Sequence, residues 1–134
     1  MDIARGLLDN KKIRILLVED DAAVRRSLQL LLQANGFDVR AYSSGATLLA
    51  DATAIEAACL VADYRISDCD GIDILVRLRE QGWDGPAVLI TGFPSAGVTS
   101  AARGAGFDAV FEKPVRQHAL VTTVQSLVQA SGGG

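Results

Sequence analysis

The fold is decided by the stretch Ile13-Arg14-Ile15-Leu16-Leu17-Val18-Glu19-Asp20-Asp21, an apolar run that ends in three acidic residues. Three later apolar runs also end in polar side chains: residues 59–62 precede Asp63, residues 87–90 precede Thr91, and residues 109–111 lead through Glu112 to Lys113 and Pro114. If these runs are parallel strands of one sheet, their carboxyl ends share one edge. The pattern therefore predicts a functional site where these polar side chains meet.

From residue 13 onward, strand-like apolar runs alternate five times with stretches of helical periodicity. The first such stretch has Asp21 as its N-cap, Asn35-Gly36 as its end, and a stripe formed by Val24, Leu28, Leu31 and Leu32. This alternation predicts an α/β fold, a flavodoxin-like doubly wound sheet with helices on both faces. Five parallel strands in the order 2-1-3-4-5 would place a ligand between the first and third strands, which carry Glu19-Asp20 and Asp63.

The chain is predicted to hold one domain over residues 12–130 of its 134 residues. Residues 1–11 are a short lead-in, and residues 131–134 are a flexible tail or a truncated linker. The fourth helix, over residues 95–105, consists mainly of Ala, Gly, Ser and Thr and has Val98 as its bulky aliphatic residue. We expect it to be the least stable element and to move. Trp83 is predicted to be a local packing residue.

Composition excludes several classes of function. A net charge of -3 and a pI near 5.0 argue against direct nucleic-acid binding, which needs a basic surface. Cys59 and Cys69 have no metal or disulfide spacing, which favours a reduced protein of the cytoplasm. The apolar runs are too short for a membrane span, and the N-terminus does not have the pattern of a secretory signal.

The polar edge suggests phosphoryl chemistry. Two carboxylates about 4 Å apart repel each other by roughly 4 kcal/mol at an effective dielectric constant near 20. A divalent cation relieves this repulsion, and an all-oxygen acidic site suits Mg²⁺. A lysine and a hydroxyl beside Mg²⁺ would complement the anionic oxygens of a phosphoryl group in transfer, and a carboxylate can act as the nucleophile.

Four motifs at these strand ends resemble those of the receiver domains of two-component response regulators. The motifs are Val18-Glu19-Asp20-Asp21, Asp63 with Asp70-Gly71 seven residues later, Ile90-Thr91-Gly92, and Lys113-Pro114. The resemblance spans nearly the whole chain, from about residue 12 to residue 130, and it rests on the order and placement of all four motifs together.

The resemblance implies a role for each residue. Asp63 would be the phosphoacceptor, and Thr91 and Lys113 would contact the phosphoryl group. Glu19, Asp20, Asp63 and the main-chain carbonyl of Arg65 would bind Mg²⁺, with Asp20 the more direct ligand of the acidic pair. Asp21 would remain a helix cap. The Lys113–Pro114 bond is cis in the family.

The implied function is a phosphoacceptor switch of a phosphorelay, with a histidine kinase or a histidine phosphotransfer protein as phosphodonor. Such a protein is not an enzyme for an external substrate, because it performs only its own phosphoryl transfer and autodephosphorylation. The family commonly forms homodimers through the fourth helix, fifth strand and fifth helix. In the family, the positions that Arg65 and Phe93 occupy flank the site and affect the lifetime of the phosphoryl group.

The position three residues before Lys113 departs from the family pattern. The aromatic residue usually found three residues before the lysine is replaced by Val110, and Phe111 follows it. Because side chains alternate along a strand, Phe111 is predicted to face the other way. The usual coupling between threonine and aromatic residue is then incomplete, and the signal would pass mainly through the fourth helix.

Three other functions fit parts of the pattern. A flavin binder of the same strand order needs a phosphate cradle where the chain has Glu19-Asp20-Asp21, and a haloacid dehalogenase-type phosphatase needs an acid where it has Arg65. The third is an interaction module of receiver shape that is never phosphorylated. A phosphoryl adduct that is lost in Asp63→Asn would distinguish the switch from this module.

Overall fold

The computed structural model describes residues 12–132, and the lead-in predicted at residues 1–11 lies outside them. Five strands alternate with five α-helices. The strands are β1 (Arg14–Val18), β2 (Asp38–Tyr42), β3 (Cys59–Asp63), β4 (Ala87–Thr91) and β5 (Ala109–Glu112). The helices are α1 (Ala22–Ala34), α2 (Gly45–Ala50), α3 (Gly71–Glu80), α4 (Ala96–Ala105) and α5 (Gln117–Gly132), and a short 3-10 helix covers Ala52–Glu56.

The strands form one parallel sheet in the order β2-β1-β3-β4-β5, which confirms the predicted topology. The register aligns the carboxyl ends, since Val18 pairs with Ala62, and Thr91 pairs with Glu112. Helices α2, α3 and α4 cover one face of the sheet through an apolar cluster that includes Leu48, Ile74 and Ala102. Helices α1 and α5 cover the other face, so the sheet is buried on both sides.

Polar side chains fix where the helices begin. Asp21 caps α1 by accepting hydrogen bonds from the amides of Ala23 and Val24, as the sequence predicts. Ser44 and Ser95 cap α2 and α4. Asp70 and Asp73 form a reciprocal capping box at the start of α3. These caps fix the first turns of α1, α2, α3 and α4, which follow the carboxyl ends of β1, β2, β3 and β4.

The last two helices differ in how much they bury. Helix α4 buries Ala102 alone, in agreement with its composition of small residues. Helix α5 buries four aliphatic residues at helical spacing, which are Leu120, Val121, Val124 and Val128. It continues through residues 131 and 132, which the sequence assigned to a tail, while residues 133–134 lie outside the described part.

Trp83 is a local packing residue, as predicted. Its side chain is buried, and its indole Nε1 donates a 2.8 Å hydrogen bond to the carbonyl of Ala57. The indole therefore joins the end of α3 to the segment that enters β3. Within residues 12–132, none of the helices combines the length and the apolar character that a membrane crossing requires.

Candidate functional site

The candidate site lies at the carboxyl edge of the sheet, where the strand ends bring polar side chains together. Among residues 12–131, the buried polar side chains are Glu19, Asp63 and Thr91, and they lie at the ends of β1, β3 and β4. Burying such groups is unfavourable unless they find partners. The burial of three polar side chains at the same edge of the sheet therefore indicates a functional site.

Lys113 is the partner of both buried carboxylates. Its Nζ lies 2.9 Å from Oε1 of Glu19 and 3.0 Å from Oδ2 of Asp63. Burial lowers the pKa of Lys113, but the hydrogen bonds to Glu19 and Asp63 outweigh it and hold the pKa above its usual value. The side chain therefore stays a cation and neutralises part of the acidic cluster.

Each oxygen of the Glu19 carboxylate accepts one hydrogen bond. Its Oε1 accepts from Lys113, and its Oε2 accepts a 3.0 Å hydrogen bond from the amide of Asp21. Burial raises the pKa of Glu19, and the nearby charge of Asp63 acts in the same direction. A cation at this position would therefore lower the free energy of the ionised form.

Three carboxylates form a cluster that could hold a metal ion. Oxygen atoms of Glu19, Asp20 and Asp63 all lie within 4.8 Å of one another. Asp20 is exposed, and its carboxylate is open to a ligand, whereas those of Glu19 and Asp63 are already paired. Oxygen ligands, clustered negative charge and an open side fit Mg²⁺. Asp21 stands outside this cluster and caps α1.

The loop after β3 contains Arg65, two residues after Asp63 in the sequence. Arg65 and Asp70 form an isolated antiparallel bridge, in which the flanking residues exchange the hydrogen bonds: Gly71 N to Tyr64 O, and Ile66 N to Cys69 O. In such a pair, the carbonyl of the bridged residue lies outside the pairing. The Arg65 carbonyl thus remains available as an acceptor.

Gly71 and Asp68 position that loop. A Cβ on Gly71 would lie 2.5 Å from the main-chain oxygen of Asp63, so a side chain there would displace the strand end. The Asp68 carboxylate accepts hydrogen bonds from the amides of Gly45 and Ala46, which ties the loop to the start of α2. These hydrogen bonds lower the pKa of Asp68. This role of Asp68 has no signal in the sequence, because it depends on a contact between distant segments.

Thr91 and Lys113 are held together at the end of β4. The amide of Lys113 donates a 2.8 Å hydrogen bond to the Thr91 carbonyl, and the amide of Phe93 donates to Thr91 Oγ1 at 3.0 Å. Since that oxygen already accepts a hydrogen bond, its own proton is left to donate to an anionic ligand. The Lys113–Pro114 bond is cis, in agreement with the prediction.

Arg65 and Phe93 contact each other beside the site. The Arg65 guanidinium lies 4.4 Å from the centroid of the exposed Phe93 ring, a cation–π arrangement. The stack connects the loops that follow β3 and β4. The sequence marked both residues as flanking the site, but it gave no sign that they touch.

Val110 and Phe111 point to opposite faces of the sheet, as predicted. Val110 packs against the cluster beneath α3 and α4, and Phe111 packs against the cluster beneath α1 and α5. The smaller Val110 therefore occupies the side on which the family places an aromatic residue.

A groove opens beside Lys113, between α1 and the segment that follows β5. Its volume is about 650 Å³. Apolar side chains dominate its lining, which includes Val24, Leu28, Pro114 and Val115. The edge of the sheet thus combines a charged centre with an adjoining apolar surface.

Comparison with known proteins matches the chain to a family. The family model of the response regulator receiver domain matches residues 15–125. Among curated relatives, the transcriptional regulatory protein FixJ of Bradyrhizobium diazoefficiens is 30% identical over 118 residues, covering 88% of this chain and 58% of FixJ. Response regulator MprA of Mycobacterium leprae is 32% identical over 117 residues, covering 87% of this chain and 51% of MprA. The chain thus spans little more than half the length of these relatives.

Solved structures agree with this match. The crystal structure of FixJ-N is 27% identical and superposes with a TM-score of 0.78, covering 89% of this chain and 95% of that one. The receiver domain of a putative Luxo repressor protein from Vibrio parahaemolyticus gives a TM-score of 0.84 at 18% identity, covering 91% and 94%. The second likeness shows the fold alone. The chain belongs to the family of response regulator receiver domains, the signalling switches of two-component systems.

Proposed function

We propose that this chain is a phosphoacceptor switch in which Asp63 accepts a phosphoryl group, with Mg²⁺ bound, from a histidine kinase or a histidine phosphotransfer protein. Receiver domains in general bind Mg²⁺ through acidic residues, and response regulators in general act with histidine kinases. The single observation that carries the proposal is the position of Lys113 between Glu19 and Asp63, next to the exposed Asp20.

The geometry supports a direct displacement. An oxygen of the Asp63 carboxylate attacks phosphorus, the phosphorus–nitrogen bond to the donor histidine breaks, and the imidazole nitrogen keeps the electron pair. Lys113 exchanges its contact with the free carboxylate for a phosphoryl oxygen, and Thr91 donates its hydroxyl proton to another. Both groups lie at the edge before the phosphoryl group arrives, so little reorganisation is needed.

The proposed ligands of Mg²⁺ are Glu19, Asp20, Asp63 and the main-chain carbonyl of Arg65. When bound, the ion would neutralise negative charge shared by the carboxylates and the phosphoryl oxygens. The protein residues separate into two sets: Lys113 and Thr91 contact the phosphoryl group, and the acids hold the cation.

The groove beside Lys113 supports docking of the phosphodonor. A partner must bring its histidine to Asp63, and the apolar lining between α1 and Val115 offers a surface for a helix next to the reacting groups. The proposal includes a cytoplasmic location, which agrees with the two free cysteines. No direct contact with nucleic acid by this domain and no attachment to a membrane are part of it.

Phosphorylation is proposed to change the surface of α4, β5 and α5, where a homodimer would form. Helix α4 buries only Ala102, so a small free energy suffices to displace it. We expect its amide exchange to differ between the protein with and without a phosphoryl mimic. Equal protection would contradict this part of the proposal.

The experiment is an intact-mass measurement after incubation with MgCl₂ and acetyl phosphate. The expected result is one added phosphoryl group in the wild-type chain and none in Asp63→Asn. Asp21→Asn is the matched control, because it removes a nearby carboxylate that caps α1 and should still be phosphorylated. If wild type gains no adduct and binds no Mg²⁺, the chain is an unphosphorylated interaction module instead.

A further inference from the structure

We infer that Arg25 is a positioning residue for the proposed Mg²⁺ site, because its guanidinium fixes the main chain that carries Glu19 and Asp20. The inference rests on the proposed function, since it concerns the affinity of that site for the cation. It assigns a task to a side chain that lies on α1, outside the four sequence motifs.

Arg25 contacts the acidic pair through main-chain atoms. Its Nη1 donates to the carbonyl oxygen of Glu19 at 2.9 Å, and the carbonyl oxygen of Asp20 lies 3.5 Å from the same nitrogen. Within residues 12–132, Arg25 forms no ion pair with a carboxylate. Its half-buried side chain therefore contacts the main-chain carbonyls of Glu19 and Asp20 and not their carboxylates.

The segment that Arg25 contacts lies between two regular elements. The amide of Glu19 still donates to the Tyr42 carbonyl of the neighbouring strand, at 3.1 Å. The first hydrogen bond of α1 then runs from the Arg25 amide to the Asp21 carbonyl, at 2.9 Å. Among the described backbone hydrogen bonds outside helices and strands, none ends at the carbonyl of Glu19 or Asp20. The Arg25 side chain supplies the donor that this junction otherwise lacks.

This support matters because the acidic cluster repels itself. Three carboxylates with oxygens within 4.8 Å of one another favour any movement that separates them. Asp20 is the exposed member, so its main chain is the part most free to retreat toward solvent. A charge-assisted hydrogen bond to the carbonyls of Glu19 and Asp20 opposes that movement.

Charge and positioning predict opposite results when Arg25 is replaced. A guanidinium near a cation site weakens Mg²⁺ binding by repulsion, so loss of its charge alone would tighten binding. Loss of a group that orients metal ligands typically weakens binding by about tenfold or more. The direction of the change in affinity therefore separates the two effects.

The test compares Arg25→Met with Arg26→Met by calorimetric titration of the full chain with MgCl₂. Arg26 is the next residue on α1, is exposed, and lacks the contacts that Arg25 makes with the two carbonyls, so its replacement measures the effect of charge alone. We expect Arg25→Met to bind Mg²⁺ about tenfold more weakly than Arg26→Met. Arg25→Lys, which keeps the charge and one donor, should recover part of the affinity.

Amide hydrogen exchange in the metal-free protein provides a second readout. Exchange at Asp20 and Asp21 should accelerate in Arg25→Met and stay unchanged in Arg26→Met, at temperatures where both variants remain folded. Equal or tighter Mg²⁺ binding by Arg25→Met than by Arg26→Met would overturn the inference. If wild type binds no Mg²⁺, the proposed function and the role of Arg25 in metal binding are both overturned. If amide exchange at Asp20 and Asp21 is also unchanged in Arg25→Met, the role of Arg25 in holding the main chain is overturned as well.

Discussion

Asp20→Asn is expected to have opposite effects on stability in the absence and in the presence of Mg²⁺. Without the cation, the exposed Asp20 carboxylate repels Glu19 and Asp63, so removing its charge should stabilise the fold. With the cation, the same substitution removes the most open ligand. The site would thus be a place where function costs stability.

The expected magnitude follows from the geometry. Two unit charges 4.8 Å apart repel by about 3.5 kcal/mol at a dielectric constant of 20, and by about 0.9 kcal/mol at 80. The second value is appropriate for the exposed Asp20, and Lys113 cancels one of the two opposing charges. We therefore expect Asp20→Asn to gain about 1 kcal/mol, or about 4 °C in Tm. At a Mg²⁺ concentration ten times the Kd, wild type should gain about 1.4 kcal/mol, which the variant lacks.

The assay is urea denaturation in EDTA and in MgCl₂, followed by circular dichroism. Asp21→Asn is the control, because it removes the neighbouring charge while its amide oxygen can still cap α1. This control should keep the response to Mg²⁺ and gain no stability in EDTA. Asp20→Asn that is less stable than wild type in EDTA, or that retains the gain in MgCl₂, would refute the reasoning.

Three further substitutions test other contacts. Hydrogen bonds from Tyr42, at 2.6 Å, and from Thr53 lower the pKa of Asp51 to about 2, so Tyr42→Phe should raise this pKa part of the way toward 3.8 in an NMR titration. Because the folded-state pKa of Asp51 lies below its unfolded value, the stability that this carboxylate contributes is lost as pH falls from 3.8 toward 2. Tyr42→Phe should make that loss smaller. A pKa of Asp51 that does not change in Tyr42→Phe would contradict the assignment. Gly71→Ala brings a Cβ against the Asp63 carbonyl and should lower the free energy of unfolding by about 1–3 kcal/mol, measured as a lower urea midpoint. Trp83→Phe leaves a buried carbonyl without its donor and should cost about 1–3 kcal/mol in the same assay, whereas a loss well below that would mean water replaces the indole.

Most of the fold could be predicted because it depends on local pattern. Alternation of strand and helix indicated five strands, and the predicted capping residue Asp21 marked where α1 begins. Two strands are one residue longer than the apolar runs: β3 and β4 include Asp63 and Thr91, since the pairing of the strands continues one residue beyond those runs. Helix α5 extends through Gly132, into the stretch that the sequence assigned to a tail or linker, despite the low helix propensity of glycine.

The candidate site could be predicted only as a set of strand ends. Parallel strands necessarily bring Glu19, Asp63 and Lys113 to one edge, which is why the sequence indicated them. The contacts of Arg25 and Asp68 could not be predicted, since they depend on loop conformations and on the direction of long or exposed side chains. Sequence spacing indicates which residues lie at the same edge of the sheet. It does not indicate which side chains will form hydrogen bonds with the main chain of a neighbouring segment.

The Asp68 contact also has a mechanical consequence. It anchors the loop after β3 to α2, whereas the loop after β4 leads into α4, which packs on the core through the buried Ala102 and the partly buried Val98. The two flanks of Asp63 therefore differ in stiffness, with one flank braced and the other compliant. When the charge at Asp63 changes, the resulting strain should be taken up on the compliant flank, which gives the domain a built-in direction of response.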